Sequence, residues 1–252
     1  MSGRDVQTTD GTSAPVSRNP RDTGRRLHGA IARKLGSAIL AGHYPPGSLL
    51  NGEVAFSVEL NVSRTAFREA MQVLTAKGLV ESRPKVGTRV LPRDRWNLLD
   101  PDVLAWAFSG EPDKRFVRNL FELRAIVEPG AARLAAERRS RDDLSAMKEA
   151  LAVMRRHTLA TEAGRAADRD FHTAILRATQ NDALVTLSAS IGAAVSWTTE
   201  FKQRQRALPR NPIPDHALVY QAIAAGNTDE ASGAMKRLVS LAFEDTLVTM
   251  DF

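Results

Sequence analysis

Apolar residues recur at every third or fourth position along most of the chain, which is the spacing of amphipathic helices. The first stripe lies within residues 25–41 and consists of Leu27, Ile31, Leu35 and Ile39. From residue 113 onward no alternating strand pattern occurs, and helices are predicted at about 162–178, 182–206, 214–225 and 228–248. These patterns predict a mainly α fold.

The segment between these helical regions has a different pattern. A short second helix is predicted at about 52–59, and a third begins after Ser63, whose hydroxyl suits an N-cap. Two short runs, residues 79–82 and 88–91, flank a turn at 84–87 and predict a two-stranded hairpin. Three helices followed by such a hairpin form the plan of a winged helix-turn-helix, in which the hairpin is the wing.

Composition and pattern together divide the chain into four parts. Residues 1–23 are polar and rich in Ser, Thr, Gly and Pro, which predicts a disordered tail. Residues 24–92 form the predicted winged helix-turn-helix. Residues 93–112 are too apolar for a free linker, so we expect a linker helix packed on the second domain. Residues 113–248 are predicted to form an all-α bundle of six or seven helices.

The net charge of +6 is confined to the first third of the chain. Residues 1–92 hold 13 Lys and Arg against 7 Asp and Glu, whereas residues 93–252 hold 22 of each. A basic module on an otherwise balanced chain is typical of nucleic-acid binding. A solvated basic surface or a membrane-surface patch would carry the same charge, so the charge alone leaves these alternatives open.

The chain contains no cysteine, which excludes disulfides, zinc fingers and thiol nucleophiles and is typical of a reducing compartment. No apolar run approaches the ~20 residues that a membrane-spanning helix needs. The N-terminus lacks the apolar core of a secretory signal. We therefore expect a cytoplasmic protein with no membrane partner.

The start of the third helix carries the candidate DNA contacts. In a helix-turn-helix, the second helix of the turn lies in the major groove and presents its N-terminal residues to the bases. The candidates are Ser63, Arg64, Thr65 and Arg68, with Lys85 and Gly87 in the wing. Arg64 and Arg68 share a helical face, and arginine suits the O6 and N7 atoms of guanine. The alternative for both is an ordinary solvated arginine.

Residues 24–92 also carry a specific combination of motifs: YPPGS at 44–48, Glu53, and VSRTAFREAMQVLTAKGLVESRPKVGTRV at 62–90. This combination resembles the winged-helix domain of GntR-type bacterial regulators, which implies a transcription regulator that binds double-stranded DNA. Two positions depart from the family. Val54 stands where an arginine that can contact phosphate is common, and Phe56 replaces a leucine.

One group of residues in the predicted bundle suits a metal ion. Asp168 and His172 lie four residues apart and project from one helical face, where a carboxylate and an imidazole can bind a divalent metal. His216, near the start of a later helix, is a third candidate ligand. The alternative for Asp168 and His172 is a surface ion pair. For Arg124, on an earlier helix, the alternative to a functional role is a salt bridge with Glu128.

The same region contains ELRAIVEPGAARLAA, then Asp-x-x-Phe-His, then His216 before an Ala-Ile-x-x-Gly-Asn stretch. It resembles the all-helical FCD ligand domain found in the FadR branch of GntR regulators. The resemblance implies a homodimer and a divalent metal of the Zn, Ni or Mn type at Asp168, His172 and His216. Leu238 stands where the family has a further histidine, which leaves at most three protein ligands.

The stretch RDRWNLLDPDVLAW, residues 93–106, resembles the DgoR subgroup of that branch, whose members are repressors that respond to D-galactonate and related sugar acids. The resemblance implies that Arg124 faces a ligand pocket, where its guanidinium suits a carboxylate. Trp197 is a second candidate for this pocket, with core packing as its alternative.

We therefore expect a homodimeric regulator, with repression as its mode, that binds a palindromic operator and is controlled by a small organic acid. Two interpretations from other classes remain. One is a metal-dependent enzyme that carries a DNA-binding domain. The other is a non-specific architectural DNA-binding protein, which would leave the neutral helical domain unexplained.

Overall fold

A computed structural model describes residues 20–50, 62–83, 86–205 and 210–250. Outside these ranges lie the predicted second helix at 52–59, Val54, Phe56, Lys85 and residues 1–19 of the predicted tail. Helix α1 spans Pro20–Leu40, so residues 20–23 belong to a helix and not to the tail. Proline fits this position because a residue in the first helical turn needs no backbone N–H.

Helix α2, Arg64–Ala76, is the predicted third helix. The hydroxyl of Ser63 caps it as expected, because Oγ accepts a hydrogen bond from the backbone N–H of Ala66 at 3.2 Å. The buried residues of α2 are Ala66, Phe67, Ala70, Met71 and Leu74. The helix packs against α1, and these residues join one apolar core with Ile31, Leu35 and Ile39 of α1.

The wing is an antiparallel hairpin of strands β1, Val80–Arg83, and β2, Gly87–Val90. Gly87 has a φ of +100°, a conformation that favours glycine at the end of the turn. The chain before the wing also pairs with β2, since the N–H of Leu50 donates to the carbonyl of Thr88 at 2.8 Å. The predicted hairpin is confirmed, with each strand one residue away from its predicted position.

Residues 93–112 contain a single turn of 3-10 helix, Arg93–Arg95, followed by helix α3, Pro101–Ala107. Asp100 caps α3, and its Oδ1 accepts hydrogen bonds from the N–H groups of Asp102 at 2.9 Å and Val103 at 3.2 Å. A proline at the first helical position and an aspartate at the N-cap both favour a helix start here.

The apolar residues of this joint are divided between the two domains. Trp96, Val103 and Trp106 belong to the core of the winged helix. Leu104 and Phe108 belong to the core of the bundle. The expected linker helix is therefore present and packs on the second domain, but it also packs on the winged helix, because different faces of α3 are buried in the two cores.

Seven helices of the described chain form the bundle, in agreement with the six or seven predicted. They are α4 (Lys114–Arg138), α5 (Arg141–His157), α6 (Glu162–Ala178), α7 (Asp182–Val185), α8 (Ser188–Gln205), α9 (Ile213–Ala225) and α10 (Thr228–Met250). Helix α6 packs against α4, α5 and α8, so it lies at the centre of the domain. No helix in the described ranges is long and apolar enough to cross a membrane.

Helices α7 and α8 replace the single helix predicted at 182–206. The hydroxyl of Thr186 donates to the carbonyl of Ala183 at 2.7 Å, just where α7 ends. Side-chain hydrogen bonds of this kind compete with the backbone bonds that would continue a helix.

The substitution Gly36→Ala should destabilise the protein, because a Cβ at this position of α1 would lie 2.3 Å from Cε3 of Trp106. The Trp106 ring is only 7% exposed, so it has little room to move, and overpacking of this kind costs about 1–3 kcal/mol. Urea denaturation measures the change. Gly29→Ala, in the same helix with nothing within 4 Å of its Cβ, is the matched control and should stabilise by about 0.5–1 kcal/mol. Equal effects of the two substitutions would contradict this account of the joint.

Candidate functional site

The predicted contacts on α2 lie together on its exposed side. Ser63, Arg64, Thr65 and Arg68 are all exposed, while the buried residues of the helix face α1. The N-terminal end of a helix carries partial positive charge and unpaired N–H groups, which favour phosphate. This end of α2 therefore combines two arginines, two hydroxyls and the positive end of the helix dipole on one surface.

A groove of about 670 Å³ lies between α2 and the wing. Arg68 lines its helical side, and Arg83, Gly87 and Thr88 line its hairpin side. The structure therefore brings Arg68 and Gly87 to one groove. Arg83 is an addition that the sequence analysis missed, although a basic residue at the end of a predicted wing strand could have indicated it.

Asp168, His172 and His216 meet inside the bundle, and each is 3% exposed. Oδ1 of Asp168 lies 2.9 Å from Nε2 of His216 and 3.6 Å from Nε2 of His172. One ligand atom from each residue lies within 4.8 Å of the other two. The interpretation of Asp168 and His172 as a surface pair is therefore wrong, and all three candidate ligands come together.

The second ring nitrogen of each histidine also has a partner. Nδ1 of His216 lies 2.8 Å from the carbonyl oxygen of Pro212, and Nδ1 of His172 lies 2.6 Å from Oε2 of Glu128. A carbonyl oxygen only accepts, so Nδ1 of His216 carries a proton. Each Nε2 then faces the Asp168 carboxylate with a second proton or with a cation between them. Metal-binding histidines are oriented by such partners, so the donor set fits a divalent metal.

Arg124 and Glu128 form a buried ion pair on α4, with 2.6 Å between Nε and Oε1. Burial alone would raise the pKa of Glu128, but Arg124 and His172 outweigh burial and lower this pKa to about 2. Burial also acts to raise the pKa of Asp168, and the contact with His216 outweighs it and lowers that pKa. Both carboxylates are therefore ionised. The salt bridge considered for Arg124 is confirmed, and it belongs to the same charged cluster.

A small cavity of about 30 Å³ borders this cluster. Besides the three candidate ligands, its polar lining consists of Arg124, Thr198, Thr199, Lys202 and Arg210. Trp197 is not among the lining residues; it packs against the bundle core while partly exposed, so its assignment to the pocket is corrected in favour of core packing. Leu238, where the resemblance implied a further histidine, forms an apolar part of the wall.

Lys202 and Arg210 were missed by the sequence analysis. Lys202 is 7% exposed, and burial lowers its pKa to about 8. Arg210 contacts the carboxylate of Asp215, and its Nε lies 3.4 Å from Oδ2 of Asp245. A lysine one helical turn after Thr198, within an otherwise buried helix, was a signal for Lys202. Buried charges with shifted pKa values beside a cavity are typical of functional sites.

Two protein-family models match the chain. Residues 27–90 match the bacterial regulatory proteins of the gntR family, and residues 119–241 match the FCD domain. The galactonate operon transcriptional repressor of Escherichia coli K12 is 34% identical over 212 residues, which cover 83% of this chain and 92% of that protein. The chain belongs to the GntR family. Family members of this kind are DNA-binding transcription regulators, which does not favour the enzyme or the architectural protein considered above.

Other comparisons agree with this assignment. The regulator LutR of Bacillus subtilis 168 is 32% identical, and the match covers 78% of this chain and 90% of LutR. Among solved structures, that of Lar, which controls the Listeria monocytogenes agr system, has a TM-score of 0.63 at 19% identity. The match covers 89% of this chain and 96% of the Lar chain. E. coli McbR/YncC has a TM-score of 0.52 at 17% identity, with 88% and 97% covered. At these identities the structures support the GntR fold alone.

The substitution Lys202→Met should stabilise this GntR protein at neutral pH and lose that effect in alkali. The pKa of Lys202 is about 8 in the folded state against 10.5 for the ordinary group, so the charged form is disfavoured by folding. Below about pH 8 the wild-type protein carries the free-energy cost of burying a charged Lys202, and this cost falls as the pH rises from about 8 to 10.5. One pKa unit corresponds to about 1.4 kcal/mol, so the gain at pH 7 is at most roughly 3 kcal/mol.

Chemical denaturation of both proteins at pH 7 and at about pH 10 measures this difference. Lys148→Met, at an exposed position of α5, is the control and should change stability little at either pH. A stabilisation by Lys202→Met that stays constant with pH would show that the ammonium is not the cause.

Proposed function

We propose that this GntR protein represses transcription as a homodimer on a palindromic operator and that a small organic acid bound in the FCD bundle releases it. The observation that carries the proposal is the charged cavity at Asp168, His172 and His216. A helical bundle can be held together by apolar packing alone, and buried ion clusters add little to stability, so such a cluster is better explained by ligand binding. The similarity to the galactonate operon repressor supports repression and favours a sugar acid such as galactonate.

On DNA, the contacts would come from the exposed end of α2 and from the wing. The residues involved are Ser63, Arg64, Thr65, Arg68, Lys85 and Gly87. Two copies related by a two-fold axis would place two α2 helices in successive major grooves, and the operator would share their symmetry. The exposed arginines and the groove shared by Arg68 and Gly87 support this arrangement.

In the bundle, Asp168, His172 and His216 would hold a divalent metal of the Zn, Ni or Mn type. The metal would supply Lewis-acid attraction for an effector carboxylate, because three protein ligands leave a coordination position open. Arg124 and Lys202 would bind the same carboxylate from the cavity wall. Leu238 offers no ligand atom, which is consistent with an open site.

The charges around the cavity favour an effector with one negative charge. The cations are Arg124, Lys202 and Arg210, and the carboxylates are Glu128, Asp168, Asp215 and Asp245. With neutral imidazoles, three cations and four carboxylates leave one negative charge. A divalent metal would change this to one positive charge, which a monocarboxylate neutralises.

The size of the cavity gives the reason for a change in shape. At about 30 Å³ it has room for about one water molecule, so a sugar acid enters only if the surrounding helices move apart. An effector that binds only the widened arrangement shifts the protein toward it. Control of DNA binding would follow if that arrangement places the winged helices differently.

Replacing Arg64 and Arg68 together with alanine should abolish operator binding and leave the bundle unchanged. An arginine contact to a base is worth about 1–3 kcal/mol, so we expect a loss of about 5- to 150-fold per arginine. Fluorescence anisotropy with a duplex selected in vitro by the wild-type protein measures the affinity. Arg115→Ala with Arg118→Ala, on the exposed side of α4, is the charge-matched control. Retained binding by the first double variant would remove the recognition face from the proposal.

The substitution Glu128→Gln should weaken metal binding, because Glu128 orients His172 through Nδ1. Loss of such a supporting carboxylate typically reduces metal affinity about 10–100-fold. Calorimetric titration of metal-stripped protein with Zn²⁺, Ni²⁺ and Mn²⁺ measures it. Glu122→Gln, exposed on the same helix, is the control. If none of these metals binds to wild type, the cluster holds protons between its carboxylate and imidazoles instead, and the metal part of the proposal fails.

The effector itself is tested by adding galactonate, gluconate and other aldonates to the protein–duplex complex. Release of DNA at saturating acid, weakened in Arg124→Met, would support the proposed effector class. Unchanged DNA affinity with every aldonate would refute it without affecting the assignment of the DNA-binding face.

A further inference from the structure

One buried lysine fastens the C-terminal end of α2 to the N-terminal end of α3. Nζ of Lys77 lies 2.7 Å from Oδ1 of Asp100 and 2.8 Å from Oδ2 of Asp102. It also lies 5.4 Å from the centre of the Trp106 ring. Burial acts to lower the pKa of Lys77, but the two carboxylates outweigh it and raise this pKa. The ammonium is therefore charged, and its cage is made by the linker helix.

This contact is made to the cap of α3 itself. Oδ1 of Asp100 accepts a hydrogen bond from Lys77 and also from the first N–H groups of the helix. In addition, the carbonyl of Lys77 accepts a hydrogen bond from the N–H of Asn97 at 3.0 Å. A displacement of α3 along its axis would therefore pull directly on the last turn of α2.

The opposite end of α3 is held by the bundle through α8. The Arg204 guanidinium donates hydrogen bonds to the carbonyl of Phe108, the C-cap residue of α3, and to that of Ser109 at 3.4 Å. A cation at this end also interacts favourably with the helix dipole. The rings of Phe108 and Phe201 lie 6.1 Å apart, so a side-chain contact reinforces the hydrogen bonds.

Helix α8 is also a wall of the cavity. Thr198, Thr199 and Lys202 face the cavity, whereas Phe201 and Arg204 reach α3. The two sets are interleaved within two turns of one helix. Any widening of the cavity that displaces this part of α8 must therefore displace the end of α3 as well.

We propose that Arg204 and Lys77 are positioning residues that transmit the state of the cavity to α2 through α3. Arg204 couples α8 to the C-terminal end of α3, and Lys77 couples the N-terminal end of α3 to α2. The inference rests on the proposed function only for its biological use, because the mechanical connection can be tested without an effector. It assigns to two residues outside the cavity and outside the DNA face a role in controlling DNA affinity.

A double-mutant cycle on the full chain tests the connection. Lys202→Met alters the cavity, is expected to stabilise the fold at neutral pH, and should change the Kd for the in vitro selected duplex by about fivefold or more, the usual range of allosteric coupling. In the Arg204→Met background the same substitution should change Kd by less than about twofold, since coupled residues are non-additive. Lys77→Met should suppress the effect in the same way.

The matched control is Arg165→Met. Arg165 also donates to α8, at Gln203 Oε1 2.8 Å away, but its second hydrogen bond goes to the carbonyl of Ala160 and not to α3, so the fivefold effect should persist. An equal response to Lys202→Met with and without Arg204 would overturn the proposal. No response to Lys202→Met in wild type would also overturn it, because the cavity would then not be coupled to DNA binding.

Hydrogen exchange gives a second readout that does not depend on DNA. Arg204→Met should speed amide exchange in α3 and in the last turn of α2, although Arg204 contacts only the former. Arg165→Met should change neither, and Arg204→Lys should restore part of the protection by keeping the charge at the end of α3. Faster exchange confined to α8 and α3 would mean that Arg204 has only a local structural role and would refute the transmission.

Discussion

The interior of the bundle depends on one constraint: a charge removed from water must have an opposite charge or a hydrogen-bond partner beside it. A continuous series of polar contacts meets this constraint. It runs from Arg124 through Glu128, His172 and Asp168 to His216. Because α4, α6 and α9 each supply at least one of these residues, this series of contacts fixes how the three helices face one another. At its centre, the Nε2 atoms of His172 and His216 both face the Asp168 carboxylate, so a proton or a metal ion is needed between them. The packing of the domain therefore depends on which of these occupies the site.

Local signals in the sequence were sufficient for most helices and for the candidate ligands. Ser63 marks the start of α2 through a contact within three residues, and the structure contains that hydrogen bond. Asp168 and His172 share a face because they are four apart, which requires no knowledge of packing. That these residues meet His216 depended on the resemblance, since α9 approaches α6 only through the tertiary arrangement.

The errors have a common physical origin in rotation about a helix axis. Trp197 and Thr198 are adjacent, but successive residues of an α-helix point about 100° apart, so α8 turns only part of its surface to the cavity, and Trp197 lies outside that part. The sequence does not specify which face of α8 turns inward, because Ala, Val, Thr and Trp occur on several sides. For the same reason Lys202 could be recognised as unusual but not assigned to the cavity, and the tryptophans of the joint could be recognised as buried but not assigned to a core.

The division of α3 between two cores has a consequence for the modularity of the protein. The last residue of the DNA-binding domain in sequence terms is near residue 92, but its core is completed by Trp96, Val103 and Trp106. A chimera that exchanges DNA-binding domains at residue 92 would join a foreign winged helix to Trp96, Val103 and Trp106. The surface of that foreign domain would not be complementary to these three side chains. A junction at Gly110, in the turn after α3 where no atom lies within 4 Å of an added Cβ, would transfer the completed winged-helix core, provided that the transferred α3 keeps Leu104 and Phe108 for the core of the bundle. The boundary at which this protein can be recombined is therefore set by packing and lies almost twenty residues beyond the boundary of the sequence motif.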